Sequence, residues 1–318
     1  MKKKIFIDGE EGTTGLQISE KLLKHPDIDI LKIDRTNRKN PIERRKLMES
    51  SDLTFFCLPD DAAKEALTIA KSLTSKKPII IDASTAHRIN PDWVYGLPEL
   101  NSRQKELIAN SRQISVPGCY ASGATLLINP LIRNSIIPKD LTLCINAISG
   151  YSGGGKKLIE HFDKNNNQDL EPFFYYGLNL NHKHIPEIMF HNKLTKKPIF
   201  LPSVADYFQG MIVNLPLHKE WINNEFSFKE IVNIFKKEYE QFHFIKMFPH
   251  ESSISKNQFY RPDKIINSNF MHINFYFDES EDQMILSSNF DNLGKGASGA
   301  AIQCMNLVFG FPENLSLE

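Results

Sequence analysis

Cys119 is the residue whose surroundings most favour chemistry. The segment Ser115-Val-Pro-Gly-Cys119 has the order of a strand end, a Pro-Gly turn and the first residue of a helix. At a helix N-terminus the macrodipole and the free backbone amides stabilise a thiolate. The same amides can hold the oxyanion that forms when a thiolate attacks a carbonyl carbon. We therefore interpret Cys119 as a nucleophile, and Cys57, Cys144 and Cys304 as buried apolar side chains.

A cysteine nucleophile usually needs a base, and the densest histidine cluster supplies two candidates. His182 and His184 lie in the segment Asn179-Leu-Asn-His-Lys-His-Ile-Pro-Glu187. A polar surface loop is the alternative interpretation, and only proximity to Cys119 would give either ring an acid–base role. A metal site built from both histidines and Glu187 is disfavoured, because no second ligand cluster accompanies it. We predict no bound metal.

A glycine-rich turn follows the first strand and opens the first helix. Its sequence is Gly9-Glu-Glu-Gly-Thr-Thr-Gly15. In such a turn, backbone amides and the positive helix terminus face a pyrophosphate. A turn without a ligand is the alternative, since the spacing differs from the usual dinucleotide fingerprint. The location between strand and helix favours the nucleotide, with contacts from Gly9, Gly12, Thr13, Thr14 and Gly15.

Charges after the second strand bear on the choice of dinucleotide. Asp34 stands about 20 residues beyond the turn, where a carboxylate accepts a hydrogen bond from the ribose 2′-hydroxyl of NAD. Arg35, Arg38 and Lys39 follow directly, and an arginine can pair with a 2′-phosphate instead. A solvated charge run is the alternative. We favour NADP, with Arg35 as the contact.

Two further loops carry candidate binding residues. Asp82-Ala-Ser-Thr-Ala-His-Arg88 follows a buried strand at the sheet edge where α/β proteins bind ligands. We predict Ser84 as a cofactor contact and Arg88 as a clamp for an anionic substrate, although an exposed arginine with an acidic partner fits equally well. Ser149-Gly-Tyr-Ser-Gly-Gly-Gly-Lys-Lys157 ends in cations, so Lys157 is a second candidate for binding the substrate.

The order of elements predicts how these residues are positioned. Strands alternate with helices as far as Val116, which indicates a doubly wound α/β unit with a parallel sheet. The second half has partly alternating strands at Met211–Leu217 and Met271–Phe277, with an amphipathic helix at Phe228–Phe242. This pattern indicates an α+β domain with a mixed or antiparallel sheet. A run of small residues from Gly294 leads into a last helix.

Composition excludes several classes of protein. The 318 residues carry 38 Lys+Arg and 38 Asp+Glu, so no global field attracts nucleic acid. No apolar run approaches the roughly 18 residues that span a bilayer. The basic N-terminus lacks the apolar core of a signal peptide, and the cysteines form no paired motif. We expect a cytoplasmic protein with a small-molecule substrate and neither a nucleic-acid nor a membrane partner.

With these motifs in view, nearly the whole chain resembles N-acetyl-gamma-glutamyl-phosphate reductase in its shorter form, and more distantly aspartate-semialdehyde dehydrogenase. The segments that carry the resemblance are Gly9–Gly15, Asp82–Arg88, Pro117–Tyr120, Ser149–Lys157, His182–Glu187 and Asp291–Gly299. It implies a Rossmann-like NADP domain (1–118 plus 290–318) and an α+β catalytic and oligomerisation domain (119–289). It also implies that Cys119 is the nucleophile, that His184 rather than His182 is the acid/base, and that Asn292 and Gly296 contact the cofactor.

The reaction implied by the resemblance is the NADPH-dependent reduction of N-acetyl-gamma-glutamyl phosphate in arginine biosynthesis, by a homodimer or homotetramer. Three alternatives stay open. One is a related enzyme acting on an aspartyl or aminoadipyl substrate, although Gly118 stands where the aspartyl enzyme usually has Asn. The second is a non-catalytic nucleotide sensor, and the third is a cysteine hydrolase without a cofactor.

Overall fold

The chain forms two compact units. The computed structural model describes residues 2–164, 172–248, 260–278, 280 and 282–318. Unit 1 comprises Met1–Pro98, Arg103–Gly118 and Ala297–Glu318, and unit 2 comprises Glu99–Ser102 and Cys119–Gly296. This division differs from the predicted boundary at residue 290, because residues 290–296 pack with unit 2.

The sheet of unit 1 is parallel throughout. Within the described residues its strands lie in the order β2-β1-β3-β4-β6-β5. The strands are β1 (Lys3–Asp8), β2 (Ile28–Leu31), β3 (Leu53–Phe56), β4 (Ile79–Asp82), β5 (Val94–Tyr95) and β6 (Gln113–Ser115). The predicted doubly wound α/β unit is confirmed, and only the two-residue β5 was not expected.

Four helices follow these strands in unit 1, namely α1 (Thr13–Leu22), α2 (Pro41–Ser50), α3 (Asp60–Lys71) and α4 (Gln104–Ala109). Their ends follow from local chemistry. The Asn40 side chain accepts a hydrogen bond from the Ile42 amide at 3.0 Å, and Pro41 occupies the first turn of α2. The core between β1, β3 and the helices contains Phe6, Phe56 and Met48, all fully buried.

The sheet of unit 2 is mixed, as predicted. Its strand order is β11-β12-β13-β10-β7-β9-β8 in the described part of the chain. The strands are β7 (Cys144–Gly150), β8 (Phe173–Tyr175), β9 (Ile199–Ala205), β10 (Met211–His218), β11 (Ile245–Phe248), β12 (Met271–Asp278) and β13 (Gln283–Phe290). β7 pairs with β9, and β11 with β12, in parallel, whereas the other pairs are antiparallel.

The described residues of unit 2 include the helices α5 (Cys119–Arg133), α6 (Lys156–Lys164), α7 (Ile185–Asn192) and α8 (Phe228–Tyr239). α5 is buried along almost its whole length. A Cβ on Gly123 would lie 2.6 Å from Ser288 Oγ, so a glycine lets this helix approach the sheet closely. Ser227 and Glu230 form a capping box at the start of α8, as the sequence indicates.

The last helix, α9 (Gly299–Phe309), belongs to unit 1. A π-helical turn, Gly294–Ser298, precedes it and contains the change from unit 2 to unit 1. No helix in the described residues is long and apolar enough to cross a membrane.

Candidate active site

Cys119 is the first residue of α5, as the sequence predicts, and it is half-buried. No acidic side chain occupies the first turn of this helix, so the helix terminus keeps its positive character. The loop that follows β13 passes directly beside the cysteine. A Cβ on Gly296 would lie 2.9 Å from Cys119 Cβ and 3.3 Å from Phe290 Cε2. Only glycine therefore lets this loop approach the cysteine so closely.

Tyr120 joins the cysteine to the histidine pair. Its ring centroid lies 5.8 Å from that of His182 and 5.9 Å from that of His184. Its hydroxyl donates a hydrogen bond to the Ser203 carbonyl at 3.0 Å, and burial raises its pKa well above the usual value. The tyrosine thus stays neutral and fixed. Both predicted histidines therefore lie beside the residue that follows Cys119.

The two histidines differ in their surroundings. Burial, aided by the charge of Lys183, lowers the pKa of His182 to about 4. Its Nδ1 accepts a hydrogen bond from the His184 amide at 3.1 Å, so the neutral ring carries its proton on Nε2. His184 is 4% exposed and stands directly before α7, where its carbonyl accepts from the Ile188 amide. At neutral pH, His182 is therefore an uncharged donor.

Helix α7 is fastened to α5 by two asparagines. Asn192 Nδ2 donates to Thr125 Oγ1 at 3.2 Å, and Asn129 Nδ2 donates to the His191 carbonyl at 3.3 Å. These contacts lie along the helix that begins at Cys119 and the helix that begins just after His184. They hold the two helices against each other, which keeps the histidine on the same side of unit 2 as the cysteine.

The loop after β13 is braced by its own carboxylate and amide groups. Asp291 accepts from the amides of Leu293 and Asn267 at 2.9 and 2.7 Å. Asn292 is 2% exposed, accepts from the Gly210 amide at 2.8 Å and donates to Ser152 Oγ at 3.0 Å. The predicted cofactor contact Asn292 therefore uses both polar atoms of its side chain to connect three loops of unit 2.

One of these loops is the glycine-rich segment after β7. A Cβ on Gly150 would lie 2.6 Å from the carbonyl oxygens of Tyr207 and Phe208, and the Tyr151 amide donates to the Tyr207 carbonyl at 2.9 Å. The segment thus packs against the turn between β9 and β10. Lys157, the predicted substrate contact, is exposed in the first turn of α6.

The predicted cofactor turn of unit 1 is built on closely packed glycines. Gly9 has φ +91°, and a Cβ there would lie 2.3 Å from the Cys57 carbonyl oxygen. A Cβ on Gly15 would lie 2.5 Å from the Gly9 carbonyl oxygen, so both positions require glycine. Gly12 precedes α1 without a capping side chain, which leaves the Thr13 and Thr14 amides for a ligand. These residues fit a dinucleotide phosphate group.

Arg35 and Arg38, predicted to select NADP, both pair with Glu11 of the same turn. Arg35 Nε lies 3.2 Å from Glu11 Oε1, and Arg38 forms a second ion pair with the other carboxylate oxygen. Arg35 is 85% exposed. Asp34 accepts from the Thr36 amide at 2.8 Å and from the Thr36 hydroxyl, and these bonds lower its pKa. The guanidiniums of Arg35 and Arg38 thus lie close to carboxylates beside the glycine-rich turn.

Ser84 and Arg88 are held by their own loop. The buried Asp82 accepts from the Ser84 amide and hydroxyl at 2.9 and 2.7 Å, and lies 2.6 Å from His87 Nδ1. Arg88 is 8% exposed, and its guanidinium donates to the carbonyls of Val116 and Ala83 at 2.9 and 3.1 Å. The alternative of an exposed Arg88 is therefore wrong, because the arginine is buried against backbone carbonyls.

The other cysteines differ in burial. Cys304 is buried on α9, and its thiol lies 3.5 Å from the Gly96 carbonyl oxygen. Cys57 and Cys144 are half-buried, so the expectation of full burial is wrong for these two. Burial of the Cys57 thiol, with the nearby Asp82 and Asp8 carboxylates, still raises its pKa far above the usual value. A thiol held protonated is a poor nucleophile.

Comparison with known proteins identifies the family. Residues 4–108 match the model described as "Semialdehyde dehydrogenase, NAD binding domain", and residues 119–292 match "Semialdehyde dehydrogenase, dimerisation domain". N-acetyl-gamma-glutamyl-phosphate reductase 2 of Nostoc sp. is 42% identical over 99% of both chains. The chain belongs to this reductase family of the semialdehyde dehydrogenases. It is therefore an oxidoreductase, and the predicted resemblance and dinucleotide-binding domain are confirmed.

A second relative agrees with this assignment, and two solved structures share the fold. The reductase of Brucella ovis is 41% identical over 98% of this chain and 100% of its own. Aspartate-semialdehyde dehydrogenase of Francisella tularensis shares the fold with a TM-score of 0.70 at 13% identity, covering 96% of this chain and all of its own. The enzyme of Candida albicans, solved with NADP, has a TM-score of 0.63 at 12% identity, and covers 99% of this chain and all of its own.

Several residues around Cys119 were not expected from the sequence. Tyr176 packs 5.5 Å from the His182 ring, and Ser152 accepts from Asn292. Glu99 forms a buried ion pair, at 2.7 Å, with Lys295, which lies in the loop beside the cysteine. Glu99 and Lys295 are far apart along the chain, and nothing in the local sequence around either residue pairs them.

Proposed function

We propose that this chain reduces N-acetyl-gamma-glutamyl phosphate to N-acetylglutamate semialdehyde and phosphate, with NADPH as reductant, as a step of arginine biosynthesis. The observation that carries the proposal is the placement of Cys119 at the start of α5, with both histidines packed on the adjacent Tyr120. The names and full-length coverage of the relatives support the choice of substrate.

In the proposed mechanism His184 accepts the Cys119 proton, and the thiolate attacks the γ-acyl carbon. The C–S bond forms and the C–O bond to phosphate breaks, which leaves a thioester. Bound NADPH supplies a hydride to this carbonyl carbon. The resulting oxyanion collapses, the C–S bond breaks, and the semialdehyde leaves. His184 then returns its proton to the sulfur, so the enzyme ends as it began.

The helix terminus supports both oxyanions. The first turn of α5 contains no acidic side chain, and we propose that its backbone amides stabilise the negative charge that forms on the acyl oxygen. A ring with a pKa of about 4 is a weak base, so His182 is poorly suited to accept the cysteine proton. We therefore assign the acid–base role to His184.

For the cofactor we propose that the Gly9–Gly15 turn holds the pyrophosphate and that Arg35, with Arg38, receives the 2′-phosphate. The glycine geometry of the turn and the two guanidiniums beside it support this assignment. Ser84, Asn292 and Gly296 remain proposed cofactor contacts, and Arg88 and Lys157 proposed substrate contacts. A homo-oligomer, such as a dimer, is proposed from the name of the domain model that residues 119–292 match.

The reverse reaction tests the proposal directly. Wild-type enzyme with N-acetylglutamate semialdehyde, NADP and phosphate should produce NADPH, measured by its absorbance, and omission of phosphate should abolish the signal. Aspartate semialdehyde should react far more slowly, and comparable rates would move the assignment to the aspartyl reaction. Cys119→Ser should bind NADPH normally yet form no acyl-enzyme, as judged by mass spectrometry. Wild-type turnover by this variant would refute the nucleophile.

A further inference from the structure

A fully buried ion pair lies in the loop beside Cys119. Lys295 and Glu99 are both 0% exposed, and Lys295 Nζ donates to both carboxylate oxygens of Glu99 at 2.7 Å. The ammonium also lies 5.8 Å from the centre of the Phe244 ring. Taking two charges out of water is costly, and breaking such a pair leaves an uncompensated charge. The cost of burying the pair directs attention to the residues that it holds in place.

The pair holds a short turn between two tightly packed glycines. A Cβ on Gly294 would lie 2.3 Å from the Ser268 carbonyl oxygen, and one on Gly296 would lie 2.9 Å from Cys119 Cβ. The Gly296 amide donates to the Asp291 carbonyl at 2.9 Å. Lys295, between the two glycines, is the residue whose side chain reaches Glu99. Its ion pair therefore lies one residue from the contact between Gly296 and Cys119.

We propose that Glu99 is a positioning residue for Cys119. It holds Lys295 through two charged hydrogen bonds, and Lys295 in turn sets the Gly296 backbone against the cysteine. The thiol is then confined to the orientation in which it meets the acyl carbon, and small misplacements of a reacting group cost large factors in rate. This inference rests on the proposed role of Cys119 as nucleophile. It adds two residues from distant parts of the chain, which act on Cys119 through the Gly296 backbone.

The test compares Glu99→Gln, Lys295→Met and the double variant in which both substitutions are combined. Each single variant should lower kcat at least tenfold, with less than a twofold change in KM. The rate at which iodoacetamide alkylates Cys119, with the site located by mass spectrometry, should fall. The dependence of this rate on pH should also change. The double variant removes both charges of this pair together, so its melting temperature should return towards wild type. Because it lacks the two directional bonds, its kcat should stay low.

Two controls separate position from stability. Ile231→Val removes a methyl group from the core of unit 2 on α8 and should lower the melting temperature without altering the alkylation profile. Gly296→Ala should reproduce the loss of kcat, because its Cβ would displace the loop from Cys119.

The outcomes distinguish this inference from the proposed function. If the double variant regains kcat together with stability, the pair is merely structural and the inference is wrong. The same conclusion follows if Glu99→Gln leaves both kcat and the alkylation profile unchanged while Cys119→Ser is inactive. Activity in Cys119→Ser would instead overturn the proposed function itself, whereas the alkylation measurement needs neither substrate nor cofactor.

Discussion

Glu11 should weaken the binding of NADPH, because it occupies the two arginines proposed to receive the 2′-phosphate. Its carboxylate pairs with Arg35 and Arg38. A 2′-phosphate must displace this carboxylate before either guanidinium can bind it. Replacement by glutamine removes the competing charge and keeps the size of the side chain. We therefore expect Glu11→Gln to bind NADPH more tightly and to increase the preference over NADH.

The size of the effect follows from exposure. The side chains of Arg35, Arg38 and Glu11 are 85, 46 and 49% exposed, so solvent screens both ion pairs. Exposed pairs contribute about 0.5 kcal/mol each, which gives about 1 kcal/mol for the two. This corresponds to about a fivefold gain in NADPH affinity, since about 1.4 kcal/mol is a factor of ten. Raising the ionic strength to about 1 M should remove most of the gain, because the screening length falls to about 3 Å.

Calorimetric titration of wild type and variants with NADPH and NADH measures this effect. Glu10→Gln is the matched control, since Glu10 lies in the same turn but pairs with Lys32 and accepts from Ser19. This control alters only the charge near the pyrophosphate, which both cofactors share. It should therefore change the affinities for NADPH and NADH by the same factor. The reasoning fails if Glu11→Gln also changes both affinities equally, or if NADH binds more tightly than NADPH to the wild-type protein.

Two further predictions concern stability. Asp8→Asn should destabilise unit 1 by about 3 kcal/mol in urea unfolding, because Asp8 Oδ2 binds the buried Arg44 at 2.8 and 3.0 Å. Among the described residues, the largely exposed Glu65 is then the remaining carboxylate partner of Arg44. A loss below about 1 kcal/mol would contradict this. His182→Gln should reduce the acid sensitivity of unfolding. The pKa of His182 is about 4 in the folded protein and about 6.5 when unfolded, so the unfolded chain binds more protons between these values and stability falls as pH drops through that window. Urea midpoints at pH 7 and pH 5 should differ less in the variant, and an unchanged difference would show that His182 is not the group responsible.

The sequence predicted the α/β unit well because its signals are local. Gly9 and Gly15 must be glycine for steric reasons, and Asn40 and Pro41 form a local signal for the start of α2. β9 shows the limit of local signals. It contains Pro202, a residue that argues against an inner strand, yet it lies between β7 and β8. Whether this strand tolerates a proline depends on the neighbouring strands of the sheet, which the local sequence does not reveal.

The candidate site was predictable only in part, for a similar reason. Cys119 at a helix start follows from the adjacent Pro117 and Gly118, whereas the buried Arg88 donates to the carbonyl of Val116, 28 residues further along the chain. Residue type alone predicts an arginine that is free to bind anions. The pairing of Glu99 with Lys295 joins residues far apart in sequence, and such pairings are determined by tertiary packing.

The division of roles between the two histidines also follows from packing. The His182 ring lies among Tyr120, Tyr176 and Phe200, and this burial is what keeps it neutral. Its Nδ1 then accepts from the His184 amide, a bond that a protonated ring cannot make. The neutral His182 thereby fixes the backbone at the start of α7, from which the His184 side chain projects. We infer that loss of His182 would act on catalysis through the position of His184. In the proposed function the paired histidines are thus one acid–base group, His184, and one support, His182, which differs from His184 by the aromatic residues packed around its ring.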